Sequence, residues 1–168
     1  ADGLVLHIGS MSKTLSPGLR IGWIAGPITV IEHLADIKMQ TDYGSSALSQ
    51  HLVAEWLASG QYAKHLEWLR HELRERRDFT LSLLNQDFKG IAEWQIPQGG
   101  FYIWLKLCKP IVNPNLFQQA IKENILINPG FIYEPNNNTH LRLSYSYASE
   151  EQLAYGIQTL AKIIRLLI

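Results

Sequence analysis

Four residues near the start of the chain carry side chains that can act together. Ser10, Ser12, Lys13 and Arg20 fall within the stretch HIGSMSKTLSPGLRIGW, residues 7–23. Two hydroxyls, the amides of a tight loop and a guanidinium can surround a phosphate. Arginine adds a planar fork for bidentate contact. No glycine stands directly before Lys13 and the Gly-rich spacing is absent, so this is not a Walker-type phosphate loop. A lysine that need not grip the phosphate is free to be a nucleophile. Its amine can form a Schiff base with an aldehyde, especially when partly desolvated and held near other cations.

An aldehyde cofactor that also carries a phosphate is pyridoxal 5′-phosphate (PLP). The elements that must position such a loop are visible on both sides of it. Leu4-Val5-Leu6-His7-Ile8 reads as a buried strand of a parallel sheet, and a second apolar run covers residues 21–25. Lys13 and Arg20 thus lie on a connection between two buried segments, where open α/β sheets place ligand chemistry. Gly26-Pro27 ends the second strand, and helical spacing predicts a helix over 28–40. Residues 41–46 form a polar break. Tyr43 in this break could reach a neighbouring subunit's site. Another helix is expected over 47–59, with Gly60 just past its end.

A long helix is expected over 62–84, with an apolar stripe at Tyr62, Leu66, Leu69, Leu73, Thr80 and Leu83. Its other face, Arg70, Glu72, Arg74, Glu75, Arg76 and Arg77, reads as solvated, and the interleaved glutamates argue against DNA binding. Strands are expected over 93–97 and 101–107. In the second, Phe101, Ile103, Leu105 and Leu107 alternate with Tyr102, Trp104 and Lys106. A short helix over 114–124 would turn Leu116, Phe117, Ala120 and Ile121 inward. Strands over 125–127 and 141–145 flank a polar turn at 134–139. Ser149 and Gln152 form a capping-box pattern ahead of a helix striped by Leu153, Ile157, Leu160, Ala161, Ile164 and Leu167. Arg142 sits between Leu141 and Leu143, so it points away from the core, toward a surface or cleft. Cys108 reads as a small core residue and the five tryptophans as packing residues. His7 is assigned no role, and no metal site is expected.

Bulk properties narrow the functional classes. Fifteen basic and fifteen acidic residues among 168 give a formal net charge of zero, so nothing favours nucleic-acid binding by this segment. A single cysteine excludes an intrachain disulfide and fits a reducing, cytoplasmic setting. No apolar run approaches the roughly 18 residues of a membrane span. The chain begins Ala1-Asp2-Gly3, without a signal-peptide shape, and enters a strand pattern almost at once. It is therefore expected to be part of a longer protein.

The stretch from Ser10 to Gly22 resembles the cofactor-lysine motif of class I/II aminotransferases, the fold-type I PLP enzymes. Its Pro17-Gly18-Leu19-Arg20 is most similar to the branch that includes 2-aminoadipate-type aminotransferases and the MocR/GabR (GntR-family) regulators, in which a winged-helix DNA-binding domain precedes the aminotransferase-like domain. Three further stretches extend the resemblance. LRHELRERRDF (69–79) resembles the linking helix, PQGGFYIW (97–104) the small-domain strand pair, and LRLSYS (141–146) with SEEQLAYGI (149–157) the arginine strand and final helix.

The resemblance implies an α/β fold with an α+β small domain. Residues 1–60 would end the large PLP-binding domain, 61–85 would form the linking helix, and 86–168 the small domain with helices on a small sheet. It implies that Lys13 holds PLP and shuttles the substrate proton. Ser10 and Arg20 would bind the phosphate, Ser12 would support them, and Arg142 would take the carboxylate of an amino-acid substrate or effector. A homodimer is implied, with DNA contacted only through an N-terminal domain absent here. The function implied is effector sensing in a regulator; a stand-alone aminotransferase, moving an amino group between an amino acid and a 2-oxo acid, is the alternative. Family residues that seat the cofactor ring lie upstream of the lysine. Residues 1–168 alone are therefore expected to bind PLP weakly, to lack transaminase activity and to self-associate.

Overall fold

Ser149 and Gln152 close the anticipated capping box. Ser149 Oγ accepts from the Gln152 N–H at 3.2 Å, and Gln152 Oε1 accepts from the Ser149 N–H at 2.9 Å. The helix they open, Glu150–Leu167, turns Leu153, Ile157, Leu160, Ala161, Ile163 and Ile164 into a core. The computed structural model describes residues 5–42 and 44–168. In chain order its strands are β1 (His7–Ser10), β2 (Gly22–Ala25), β3 (Ala92–Trp94), β4 (Tyr102–Leu107) and β5 (His140–Ser144). Its helices are α1 (Ile28–Thr41), α2 (Ala47–Ala58), α3 (Gln61–Asp87), α4 (Pro114–Lys122) and α5 (Glu150–Leu167). Two compact units divide the chain, one ending at Arg70 and the other running His71–Ile168, so the boundary falls within α3.

In the second unit β3, β4 and β5 form an antiparallel sheet in that order. Period-two alternation in β4 buries Ile103, Leu105 and Leu107 and leaves Tyr102, Trp104 and Lys106 on the other face. The buried face meets α4 and α5, with Leu84 and Phe88 completing the core. Asn113 caps α4 through its side chain, and Pro114 occupies the first turn, where its missing N–H costs nothing. Register fixes the open face: Trp104 lies opposite Arg142, Tyr102 opposite Ser144 and Lys106 opposite His140.

The first unit is an antiparallel hairpin followed by helices. Its register pairs His7 with Ala25 and Ser10 with Gly22. Met11 and Val53 are its buried apolar residues among those described. The cross-strand partner of Gly9 is Trp23, and a Cβ at position 9 would fall 2.0 Å from the Trp23 ring. Any larger residue there would have to displace the Trp23 ring.

Several expectations are corrected. The first strand is His7–Ser10 rather than Leu4–Ile8; it is antiparallel to β2, and Ile8 is 72% exposed, since β2 is its only sheet neighbour among the described residues. Residues 125–127 form no strand. Pro129 makes an isolated bridge with Leu141, while the Asn128 carbonyl accepts from the Arg142 N–H; proline has no N–H with which to extend a ladder. Ile121 is exposed at the end of α4. Cys108 is exposed just past β4, and Trp23, Trp68 and Trp104 are part-exposed while still packing through one ring face or edge, Trp104 on His140 and Trp68 on His65. Leu4 and Tyr43 lie outside the described residues. No described helix is long and apolar enough to cross a membrane.

Candidate functional site

Hairpin register brings four of the candidate residues to one end of the first unit. Ser10 closes β1 opposite Gly22, and Arg20 lies two residues before Gly22. Ser12 and Lys13 occupy the turn between them. Ser10 Oγ accepts from the Ser12 N–H at 3.1 Å, while Met11 is buried and its N–H donates to the Ile21 carbonyl at 3.0 Å. The Leu15 and Ser16 N–H groups both donate to the Met11 carbonyl, winding the turn so that the Lys13 side chain stays exposed.

Two further contacts hold this loop. Tyr62, on α3, donates its hydroxyl to Thr14 Oγ1 at 2.8 Å, next to Lys13 in sequence. Arg20 adopts a left-handed backbone, φ 55° and ψ 36°, after the single 3-10 turn Pro17–Leu19. Its Nη1 donates to the Pro17 carbonyl at 3.2 Å. A non-glycine residue in this region carries backbone strain. Near it Lys38 Nζ lies 3.1 Å from Asp42 Oδ2 in a hollow that Arg20 also lines. The Lys38 hydrogen bond, helped by the Gly44 N–H, holds the Asp42 carboxyl below the usual carboxylate range.

These residues suit a phosphorylated aldehyde. The donor set is two hydroxyls, loop amides and a guanidinium, with no carboxylate in residues 7–23. Lys13 makes no ion pair among the described residues. Those are features a Schiff-base lysine and its phosphate seat require.

Arg142 belongs to the second unit. Its guanidinium carbon stands 4.0 Å from the centre of the Tyr102 ring and 4.9 Å from that of Tyr133. Its Nε is buried without a hydrogen-bond partner, and no carboxylate pairs with it among the described residues. Asn128 Oδ1 is a second buried polar atom without a partner. The Asn128 carbonyl accepts from the Arg142 N–H at 2.8 Å. Arg142 also lines a cleft of about 1380 Å³ whose walls include Phe131, Ile132, Leu126 and Tyr147. A cation held by ring faces, with no counter-charge, is ready to receive an anion.

The segment after β5 is pinned from α3. Arg76 Nε donates to the Tyr145 carbonyl at 2.8 Å, and its Nη2 donates to the Ala148 carbonyl. Arg77 Nη1 donates to the Pro97 carbonyl at 3.1 Å. The buried Tyr145 donates its hydroxyl to the Gly100 carbonyl at 2.7 Å, and burial pushes its pKa up. The charged face of α3 is therefore not simply solvated: Arg76 and Arg77 tie loops of the second unit together. Sequence reading puts Tyr62 in an apolar stripe and Arg76 on a solvated face, and gives no role to either, to Tyr133 or to Tyr102. Only Tyr102 left a signal, because strand alternation puts it on the open face.

Comparison with known proteins agrees with the sequence resemblance. The family model for aminotransferase class I and II matches residues 1–160. The chain is 52% identical over 164 residues, 98% of its length, to the uncharacterized HTH-type transcriptional regulator YisV of Bacillus subtilis (strain 168). It is 47% identical over 156 residues to the HTH-type transcriptional regulator NorG of Staphylococcus aureus (strain USA300), which covers 92% of this chain. The matched region spans about a third of each relative, 34% and 35%. Among solved structures, LysN, an α-aminoadipate aminotransferase from Thermus thermophilus complexed with N-(5′-phosphopyridoxyl)-L-leucine, superposes with a TM-score of 0.87 and 31% identity over 96% of this chain and 42% of its own. Pyrococcus horikoshii kynurenine aminotransferase gives 0.92 and 29% identity, covering 99% of this chain and 42% of its own.

Proposed function

This chain belongs to the class I and II aminotransferase family, and from that premise we propose that it is the C-terminal part of a PLP-binding domain that senses an amino-acid effector for an HTH-type regulator of the GntR/MocR kind. One observation carries the regulator over the enzyme: identity is 52–53% to two Bacillus subtilis HTH-type regulators, against 31% and 29% to LysN and the kynurenine aminotransferase. A stand-alone aminotransferase remains the second reading, favoured by the reactive-lysine pattern at Lys13 and the LysN superposition.

In this proposal Lys13 would hold PLP through its Nζ and would carry the proton at the amino acid's Cα. Ser10 and Arg20 bind the cofactor phosphate, and Ser12 supports Ser10 through its N–H. Tyr62 steadies the lysine turn through Thr14. Arg142 receives the carboxylate as a bidentate fork. Bound PLP supplies an aldehyde that captures amines and a ring that withdraws electrons. DNA would be contacted by a preceding domain, in a cytoplasmic homodimer.

The test uses the full-length protein. Borohydride reduction and peptide mapping should label Lys13, and Lys13→Ala should lose the absorbance of lysine-bound PLP. Gel-shift assays on the DNA upstream of its own gene should show binding that an amino acid alters. A label on another lysine rejects the cofactor assignment. Steady transamination without any DNA binding turns the proposal to the enzyme.

A further inference from the structure

The guanidinium of Arg142 has two faces and an edge. Tyr102 and Tyr133 rings stand 4.0 and 4.9 Å from its centre. Each ring is itself held. Tyr102 lies on β4 with Phe101 at 6.3 Å, ring centre to ring centre, and Tyr133 meets Trp104 edge-on at 5.7 Å. Trp104 in turn stacks on His140 at 5.3 Å and 17°. Tyr102, Trp104, His140 and Arg142 share the open face of the sheet and Tyr133 packs against two of them, so Arg142 is braced by side chains that are themselves braced. With ring contacts holding the guanidinium and Nε buried, the two Nη atoms are what remains for a ligand.

We infer that Tyr102 and Tyr133 are positioning residues that hold Arg142 with its Nη edge toward a carboxylate, and that Asn128 Oδ1 accepts from Nε when the carboxylate binds. The inference rests on the carboxylate role proposed for Arg142 and adds how that role is enforced. Two orphaned buried atoms, a donor on Arg142 and an acceptor on Asn128, belong to residues already joined by a 2.8 Å backbone hydrogen bond. A buried donor and acceptor left unpaired in adjacent residues are costly, and pairing them removes both costs at once. Locking Nε also stops rotation of the fork, so the ligand does not spend its own binding energy on ordering it. The arrangement selects a planar carboxylate bound edge-on.

Two measurements on the full-length protein test this. PLP-loaded protein is titrated with each of the twenty common L-amino acids, and the strongest absorbance responder becomes the probe. Tyr102→Leu and Tyr133→Leu should each weaken its apparent affinity by about 3- to 30-fold, and Tyr102→Phe, which keeps the ring face, should restore most of that loss. Asn128→Ala should weaken it by about 3- to 10-fold. Asn128→Asp should be worse than Asn128→Ala by about tenfold, because its carboxylate would pair with Arg142 and compete with the ligand. In the cofactor-free protein labelled with ¹⁵N-arginine, one Nε–H signal should be displaced by ring currents. It should disappear in Arg142→Lys and move toward the others in Tyr102→Leu.

The failures are separable. A full amino-acid response in Arg142→Ala overturns the carboxylate role and the inference with it. If Arg142→Ala abolishes the response while both leucine variants titrate like the parent, Arg142 keeps its role and the tyrosine seat is wrong. Tyr102→Phe as weak as Tyr102→Leu, or no displaced Nε–H signal, also rejects the seat. Asn128→Asp no worse than Asn128→Ala rejects the Asn128 contact.

Discussion

Helix α1 buries none of its 14 residues, whereas α5 buries six of 18. The same contrast runs through the strands. In β2 all four residues are exposed, while β4 alternates cleanly between buried and exposed. The unit that carries Arg142 has its own core, from Leu84 and Phe88 to Leu116 and Ile164. The unit that carries Lys13 presents Ile8, Ile24, Ile28 and Leu48 to its surroundings. The residues assigned to the cofactor thus stand on a scaffold with little apolar burial, and the residue assigned to the carboxylate stands on one with a great deal. Burial of apolar surface is the main source of stability, so in residues 1–168 taken by themselves the two units should differ in protection.

The largest test of that contrast is hydrogen exchange on residues 1–168. Amides of β4, β5 and α5 should exchange about a thousandfold more slowly than those of β1, β2 and α1. Equal protection in the two units would dissolve the comparison. Core substitutions come next. Leu116→Ala, at a site with no exposed surface, should cost about 2–5 kcal/mol in urea denaturation followed by circular dichroism. Ile28→Ala, at a site 73% exposed, should shift stability by less than about 0.5 kcal/mol.

The arginine pins of the second unit give a smaller effect. Arg76→Ala leaves the Tyr145 and Ala148 carbonyls without their charged donor and should cost about 1.5–3 kcal/mol in the same measurement. Smallest is the Tyr145 hydroxyl. Tyr145→Phe should cost about 1 kcal/mol at neutral pH through its lost hydrogen bond to Gly100. Its pKa is raised in the folded chain, so its stabilising contribution is complete below the ordinary tyrosine value, about 10, and is lost as pH climbs through the folded value. Parent and Tyr145→Phe should therefore converge in stability above pH 10. A gap that stays constant there would show that Tyr145 ionises equally in both states.

Much of this molecule is legible in its residue pattern, and the limits are physical. The 101–107 alternation, the Ser149 box and the α5 stripe are local rules, read within one or two turns of chain, and the structure follows them. The Lys13 loop is legible as a connection between two strands because its candidate residues fall within eleven positions. Arg142 is legible as an outward-facing strand residue. What escaped are contacts between distant positions: Tyr62 with Thr14, 48 residues apart, and Arg76 with Tyr145, 69 apart. No local spacing encodes those. Residues 125–127 read as a strand ended by Asn128-Pro129-Gly130, but the only pairing in this stretch among the described residues is the isolated bridge from Pro129 to Leu141, so an apolar triplet alone does not make a ladder.

Arg20 combines a guanidinium with a backbone that favours glycine. Glycine there would relieve about 1–2 kcal/mol of left-handed strain while deleting the cation. Selection for thermal resistance and selection for ligand response would therefore pull this codon in opposite directions. A library sorted only on heat tolerance should enrich glycine or asparagine at position 20 and discard, unnoticed, the group assigned to the phosphate.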